Sequence, residues 1–181
     1  MTKKIMFSDK YGLTDAVLDG IKTQTRRIVP DRTLLGNFEE TLKSSRYDIG
    51  EVVAIAQSYH DIGLPPTECI GGVYYRRCDE PGWTNKLFVK PSLMPYRIKI
   101  TDIRVERLQD ISHEDCLKEG IRYYDDRGHG YMFDEPQRDP YRRFCSSTPI
   151  GVFSLLIDKV SGKGTWDSNP WVFVYDFELV K

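Results

Sequence analysis

The stretch Arg97-Ile98-Lys99-Ile100-Thr101-Asp102-Ile103-Arg104-Val105-Glu106-Arg107-Leu108 decides how the fold is read. Ile98 and Ile100 alternate with charged neighbours, the pattern of a half-buried strand. Ile103 and Val105 alternate as well, but one residue out of phase. The phase slips at Thr101-Asp102, and a slip of one residue turns every later side chain to the other face. A β-bulge in a long, bent strand reconciles the two halves. Bent, bulged strands are how small barrels turn corners.

The neighbouring segments extend this picture in both directions. Toward the N-terminus, Asp48-Ile49-Gly50-Glu51 reads as a turn. It leads into Val52-Val53-Ala54-Ile55-Ala56-Gln57-Ser58, which is apolar on both faces and predicts a buried strand. Toward the C-terminus, Ser112 opens a helix with Asp115 in the capping-box position, and Gly120 ends it. Thr148-Pro149 opens another, since proline suits the first helical position. Its apolar face is Phe153, Leu156, Ile157 and Val160, and Ser161-Gly162 stops it. The last strand covers 171–180, with Trp171, Phe173, Tyr175, Phe177 and Leu179 on one face. Near the start, 4–8 predicts a short strand, 13–19 a short helix stopped by Gly20, and 23–29 a strand ending at Pro30. Residues 31–47 read as a polar loop with one helical turn, 60–95 as a long excursion with one or two short strands, and 122–145 as polar and turn-rich. About five strands with three helices between them give an α+β fold, a small mixed β-barrel rather than a doubly wound parallel sheet. No Gly-rich phosphate loop follows the first strand, which agrees.

The chain has 181 residues, the size of a single domain with a sizeable core. Its 40% apolar and 12% aromatic content argues against disorder of the whole chain. With 26 basic and 27 acidic side chains, it is not a uniformly basic nucleic-acid-coating protein. A local basic groove remains open, because charge segregates on faces. Met1-Thr2-Lys3-Lys4-Ile5 lacks the apolar run of a signal peptide, and no stretch is apolar enough to span a membrane. Cys69, Cys78, Cys116 and Cys145 form no CxxC pair and have no zinc-ligand spacing with His60, His113 or His129. The expectation is a cytoplasmic protein with reduced thiols, no metal and no cofactor.

Three segments carry groups suited to chemistry. In Gly20-Ile21-Lys22-Thr23-Gln24-Thr25-Arg26-Arg27, three cations and two hydroxyls fall within six residues. Packed cations call for an anionic partner; the plainer alternative is a solvated basic strand edge. A regular strand would put Thr23, Thr25 and Arg27 on one face and Lys22, Gln24 and Arg26 on the other. Lys22 therefore reaches Thr25 only from a turn before the strand, or across a bulge. Glu119 is the second candidate. It stands at the negative end of a helix dipole, which favours its protonated form and proton donation. The alternative is an exposed glutamate at a frayed helix end. The third segment, Gly162-Lys163-Gly164-Thr165-Trp166-Asp167-Ser168-Asn169-Pro170-Trp171, sets indole rings beside polar groups. That arrangement suits stacking on a base, and equally suits hinge packing.

Taken in order, these motifs resemble the ASCH domain family, a branch of the PUA-like barrels. The family signature, roughly G-x-K-x-x-T-x-R, is matched by Gly20, Lys22, Thr25 and Arg27. Gly50-Glu51-Val52-Val53 is similar to the turn and buried strand that follow it. Glu119-Gly120 matches the helix end, and Trp171-Val172-Phe173-Val174-Tyr175-Asp176-Phe177 the aromatic last strand. The chain looks like the larger phage and bacterial members, with additional segments near 31–47, 60–95 and 122–148. Compact members include a bacterial amidohydrolase acting on N4-acetylcytidine. The resemblance implies a ligand that is RNA or a modified nucleoside or nucleotide. Carried over by position, the catalytic set is Lys22, Thr25 and Glu119. Thr25 attacks an amide carbonyl, a neutral Lys22 takes its proton, and Glu119 protonates the leaving amine. Arg27 would hold the oxyanion or an anionic substrate group. Arg26, Lys163, Trp166, Asn169 and Trp171 complete the expected substrate contacts. The alternative is a non-catalytic RNA-binding module, or a small-nucleotide effector domain, using the same surface.

Overall fold

The computed structural model describes residues 2–31, 33, 36–63, 67–70, 73–76, 81–124, 130–134 and 146–180. Its strands are β1 (Lys4–Ile5), β2 (Gln24–Ile28), β3 (Val52–Ile55), β4 (Thr67–Ile70), β5 (Val73–Arg76), β6 (Arg97–Arg107), β7 (Arg122–Tyr124), β8 (Gly130–Met132) and β9 (Trp171–Val180). Its α-helices are α1 (Leu13–Leu18), α2 (Phe38–Lys43), α3 (His113–Lys118), α4 (Pro149–Ser161) and α5 (Thr165–Ser168). The fold is mixed α+β. Five strands form one sheet in the order β1-β3-β6-β9-β2, and β4-β5 and β7-β8 are separate two-stranded ribbons. β1 runs parallel to β3 and β2 antiparallel to β9, so the main sheet is mixed.

Two compact units make up the chain. The first comprises Met1–Phe7, Val52–Ile98 and Val180–Lys181. Here Lys4 stands opposite Ala54 and Ile5 opposite Ile55. Val53, Ala54, Ile55 and Ala56 are all fully buried, as a strand apolar on both faces must be. Ala54, Ala56, Val89 and Met94 form a small core, with Met6, Tyr59 and Ile62 packed against it. Lys4 Nζ donates to the carbonyls of Lys86, Leu87 and Val89 at 2.9, 2.7 and 2.8 Å, tying down a stretch that has little other regular structure.

The second unit comprises Ser8–Glu51 and Lys99–Leu179 and holds every residue singled out above for chemistry. The helix signals act where the sequence places them. The Ser112 hydroxyl accepts from Asp115 N, and Thr148 Oγ1 accepts from Gly151 N. Gly20 and Gly120 take φ values of +72° and +98°, the left-handed region that glycine enters without penalty. α2 is the helical turn expected within 31–47, and the β4-β5 ribbon falls within 60–95. Much of 122–148, apart from β7 and β8, lies outside the described residues.

β6 is the single long strand expected, and three details add to the sequence pattern or differ from it. β6 is one unbroken strand; Thr101 and Asp102 are both exposed where the phase shifts, and beyond them Ile103, Arg104, Val105 and Glu106 are all half-buried. The alternation fades there because the Arg104 and Glu106 side chains are engaged in ion pairs. In β9, Val172 and Val174 are buried along with Phe173 and Tyr175, because this central strand is covered on both faces. Val160, assigned to the apolar face of α4, is exposed, whereas Phe153, Leu156 and Ile157 are buried. Among the described residues no helix is long and apolar enough to cross a membrane.

Candidate functional site

Lys22 sits in the turn before β2, as the Gly20 stop requires. Past α1, the N–H groups of Ile21 and Lys22 both donate to Ala16 O, at 2.9 and 2.8 Å. Thr23 N then donates to Lys118 O at 2.9 Å, joining the turn to the end of α3. A Cβ on Gly120 would stand 3.5 Å from the Cβ atoms of both Ala16 and Lys22, so the two turns pack closely. Glu119 is the C-cap of α3 and is buried, not frayed. Lys22 is only 2% exposed. Its Nζ donates to Gln24 O at 2.8 Å, to Glu119 O at 2.9 Å and to Glu119 Oε2. Burial lowers the Lys22 pKa; the Glu119 carboxylate opposes that shift, and the Arg27 and Arg26 charges reinforce it.

β2 divides its side chains between two faces of the β2–β9 ribbon. Gln24 and Arg26 go to one face, Thr25 and Arg27 to the other. The register pairs Gln24 with Asp176, Thr25 with Tyr175, Arg26 with Val174 and Arg27 with Phe173.

The Gln24–Arg26 face is a closed ion-pair network. The Arg26 side chain is 1% exposed, and its guanidinium makes one bond for each of its five N–H groups. Nε and Nη2 reach Glu106 Oε1 at 3.2 and 2.6 Å, and Nη2 also reaches Asp115 Oδ2 at 3.1 Å. Nη1 reaches Gln24 Oε1 at 2.5 Å and Glu119 Oε1 at 3.2 Å. Arg104 closes the circuit, binding Glu106, Asp176 and Asp115 at 3.1, 2.5 and 2.8 Å. Gln24 Nε2 spans Asp176 and Asp115 at 2.7 and 3.2 Å. Burial works against ionisation of Asp115, but the Gln24 hydrogen bond and the Arg26 and Arg104 charges outweigh it and lower its pKa. Asp115, read from sequence as the second half of a capping box, therefore directs its carboxylate to the cations. Glu119 takes Lys22 on one oxygen and Arg26 on the other, which offsets the unfavourable helix dipole behind it.

The Thr25–Arg27 face has a different character. Thr25 is 5% exposed, and its hydroxyl is not among the buried polar atoms left without a partner in the described residues. Tyr175, across from it, meets Tyr47 edge-on at 5.3 Å and shares a 2.9 Å hydrogen bond with Ser45 Oγ. Arg27 is half-buried. Burial lowers its pKa, Tyr47, Glu119 and Tyr175 oppose that, and Arg46 adds to it. Burial raises the Tyr47 pKa against the pull of Arg46 and Arg27. Arg46 stands over the Tyr47 ring at 5.6 Å.

The loop at 162–171 is built by its own contacts. Asp158 accepts from Gly164 N and Trp166 N at 3.0 and 2.8 Å, fixing α5. Asn169 adopts φ +42°, and its Oδ1 accepts from Gln109 N at 2.9 Å. Trp171 lies under the Arg107 guanidinium at 4.5 Å and meets Phe38 edge-on at 5.8 Å. Trp166 packs on Phe153 at 6.2 Å, the ring that also lies 5.8 Å from Arg26. Lys163 is exposed. Of the residues singled out, Lys22, Arg26 and Glu119 are thus joined directly by bonds, with Thr25 and Arg27 on the adjoining face. The loop residues are held separately by Asp158, Gln109 and Arg107. Arg104, Glu106, Asp176 and Tyr47 were not singled out from sequence. The spacing of 104 and 106 marks one strand face, and only the pairing of β2 with β9 reveals Asp176. Among the described residues no group of three or more His, Cys, Asp or Glu could hold a metal ion. No family model, no curated protein and no solved structure matches the chain.

Proposed function

We propose that this chain is an ASCH-type protein that binds a nucleoside-like ligand at the Lys22–Thr25–Glu119 corner and hydrolyses an amide on it, such as the acetyl group of N4-acetylcytidine. The observation that carries the reading is the buried Lys22 Nζ, which bonds the Glu119 carboxylate and the carbonyl of Gln24, the residue directly before Thr25. The reading also takes the main sheet to be that of a PUA-like barrel, the chain to be one domain with additional segments, and the protein to be cytoplasmic.

The chemistry needs Lys22 as a base, yet its Nζ faces three acceptors, the environment of an ammonium. In the proposed mechanism one proton passes from Lys22 to Glu119, which leaves both groups neutral and gives up the ion pair of Glu119 with Arg26. Burial and the two neighbouring guanidinium groups favour the neutral amine. Thr25 Oγ1 then attacks the carbonyl carbon while Nζ takes its proton, and Arg27 stabilises the oxyanion. Glu119 returns a proton to the leaving amine. Water hydrolyses the acyl-threonine ester and restores the starting state. Free acetate released from N4-acetylcytidine is the assay. Lys22→Ala and Thr25→Val should each abolish it, while Thr25→Ser should retain part of it. Full turnover by Lys22→Ala would sink the mechanism. Salt-dependent RNA binding with no turnover by the intact chain would favour the binding-module reading.

A further inference from the structure

In the first unit, residues 84–97 form an exposed apolar knuckle on a fixed backbone. Val89 and Met94 are buried against Ala54 and Ala56, and around these two anchors the chain turns outward. Leu87 and Phe88 are 60% and 61% exposed, Leu93 42% and Tyr96 45%. Asn85 Oδ1 accepts from Leu87 N at 3.0 Å, and Lys4 holds the carbonyls of Lys86, Leu87 and Val89. A backbone held in advance spares a partner the entropy of ordering it. Exposed apolar groups rimmed by charge mark contact surfaces. The charge here is positive. No acidic residue falls between Glu80 and Asp102, whereas Lys86, Lys90, Arg97 and Lys99 do. Lys90 and Arg97 form no ion pair among the described residues.

In the second unit, α2 has the opposite character. Phe38 and Leu42, four residues apart and so on one face, are 58% and 37% exposed. Glu39 and Glu40 are exposed beside them and, like Lys43 one turn on, form no ion pair among the described residues. No cation stands between Arg32 and Lys43. One chain therefore displays a basic apolar patch and an acidic apolar patch, each suited to the other in charge and in apolar content.

We propose that the two patches are the halves of one interface between copies of this chain, the 84–97 knuckle of one copy seating on α2 of the next. The exposed apolar side chains of the knuckle meet Phe38 and Leu42, and Lys90 and Arg97 face Glu39 and Glu40. Each copy offers one patch of each kind, so the contact is heterologous and propagates to a ring or a linear chain. Neither patch includes Lys22, Thr25 or Glu119, so the association stands or falls separately from the hydrolytic reading.

The test is sedimentation velocity of the full chain over about 10–500 µM, the range of a weak self-association. The wild type should form species larger than the monomer. Raising salt from about 50 mM to about 500 mM should weaken the association about tenfold, because the facing charges are exposed. Lys90→Glu/Arg97→Glu and Glu39→Lys/Glu40→Lys should each be monomeric throughout, with unfolding midpoints unchanged. An equimolar mixture of the two should associate again, since each then meets an oppositely charged patch on the other. Phe88→Ala, which leaves every charge in place, should weaken the association about tenfold. A wild type that stays monomeric overturns the proposal. So does association that a charge variant or Phe88→Ala leaves unchanged, which puts the contact elsewhere. A mixture that stays monomeric overturns the pairing of these two patches. Should a charge variant unfold, Phe88→Ala and the salt dependence decide on their own.

Discussion

Replacing Arg26 with alanine tests the division between the two faces of β2. The substitution deletes five hydrogen bonds and leaves Glu119, Glu106 and Asp115 each short of a cation. Removing one partner from a buried ion pair costs about 3–5 kcal/mol, because the surviving charge stays desolvated. Two considerations place this case at the low end. Arg104 still binds Glu106 and Asp115, and those two side chains retain 19% and 15% exposure. The expected loss is about 3 kcal/mol. At roughly 2–4 °C per kcal/mol for a chain of this size, the melting temperature should fall by about 6–12 °C. Arg27→Ala, one residue further on but on the other face, should lose only about 1 kcal/mol. Equilibrium urea unfolding of both variants, with m compared to wild type, gives the two numbers. Equal losses, or a loss below about 1 kcal/mol for Arg26→Ala at unchanged m, would refute the assignment of Arg26 to the scaffold.

Acid should act through Asp115. Its pKa is lowered in the folded state, so its contribution is present above the unfolded value near 3.9 and is lost as pH falls through the folded value. Asp115→Asn should therefore flatten the fall in stability below about pH 4, as read from urea midpoints across pH; an unchanged slope would count against the network's role. Burial pushes the Cys116 thiol up to about 12, so iodoacetamide at pH 8 should label it no faster than the protein unfolds, as followed by peptide mass spectrometry. Rapid labelling of the folded chain would contradict its burial. Gly120→Ala forces a side chain into φ +98° and should cost about 1–2 kcal/mol. The added Cβ would meet Ala16 and Lys22 only at ordinary contact distance, so the cost, read from urea unfolding, should come from the backbone conformation alone.

The elements were legible wherever a local signal sufficed. Ser112, Gly120, Thr148 and Gly162 bound their helices through capping and backbone conformation, which operate within a few residues. Lys22 before the strand was legible for the same reason, since the Gly20 stop leaves it in a turn. The charged network was not. Arg104 and Glu106 have the appearance of solvent-facing alternation, and only tertiary pairing gives them Arg26, Asp115 and Asp176 as partners. Tyr47 lies in a polar stretch with no periodicity, so nothing local relates it to Tyr175. Arg26 and Arg27 read as one basic cluster because they adjoin in sequence, yet in a strand adjacency means opposite faces.

That opposition has a consequence for folding. β2 ends the main sheet and, among the described residues, pairs with β9, so one strand pairing sets its register. A slip of one residue would carry Thr25 and Arg27 toward Asp115 and Glu106, and set Arg26 against the tyrosines. Five directional bonds from one guanidinium penalise that mispairing at once. The network thus acts as a register lock, so adding or deleting one residue within Gln24–Ile28 should do more harm than replacing any one of them.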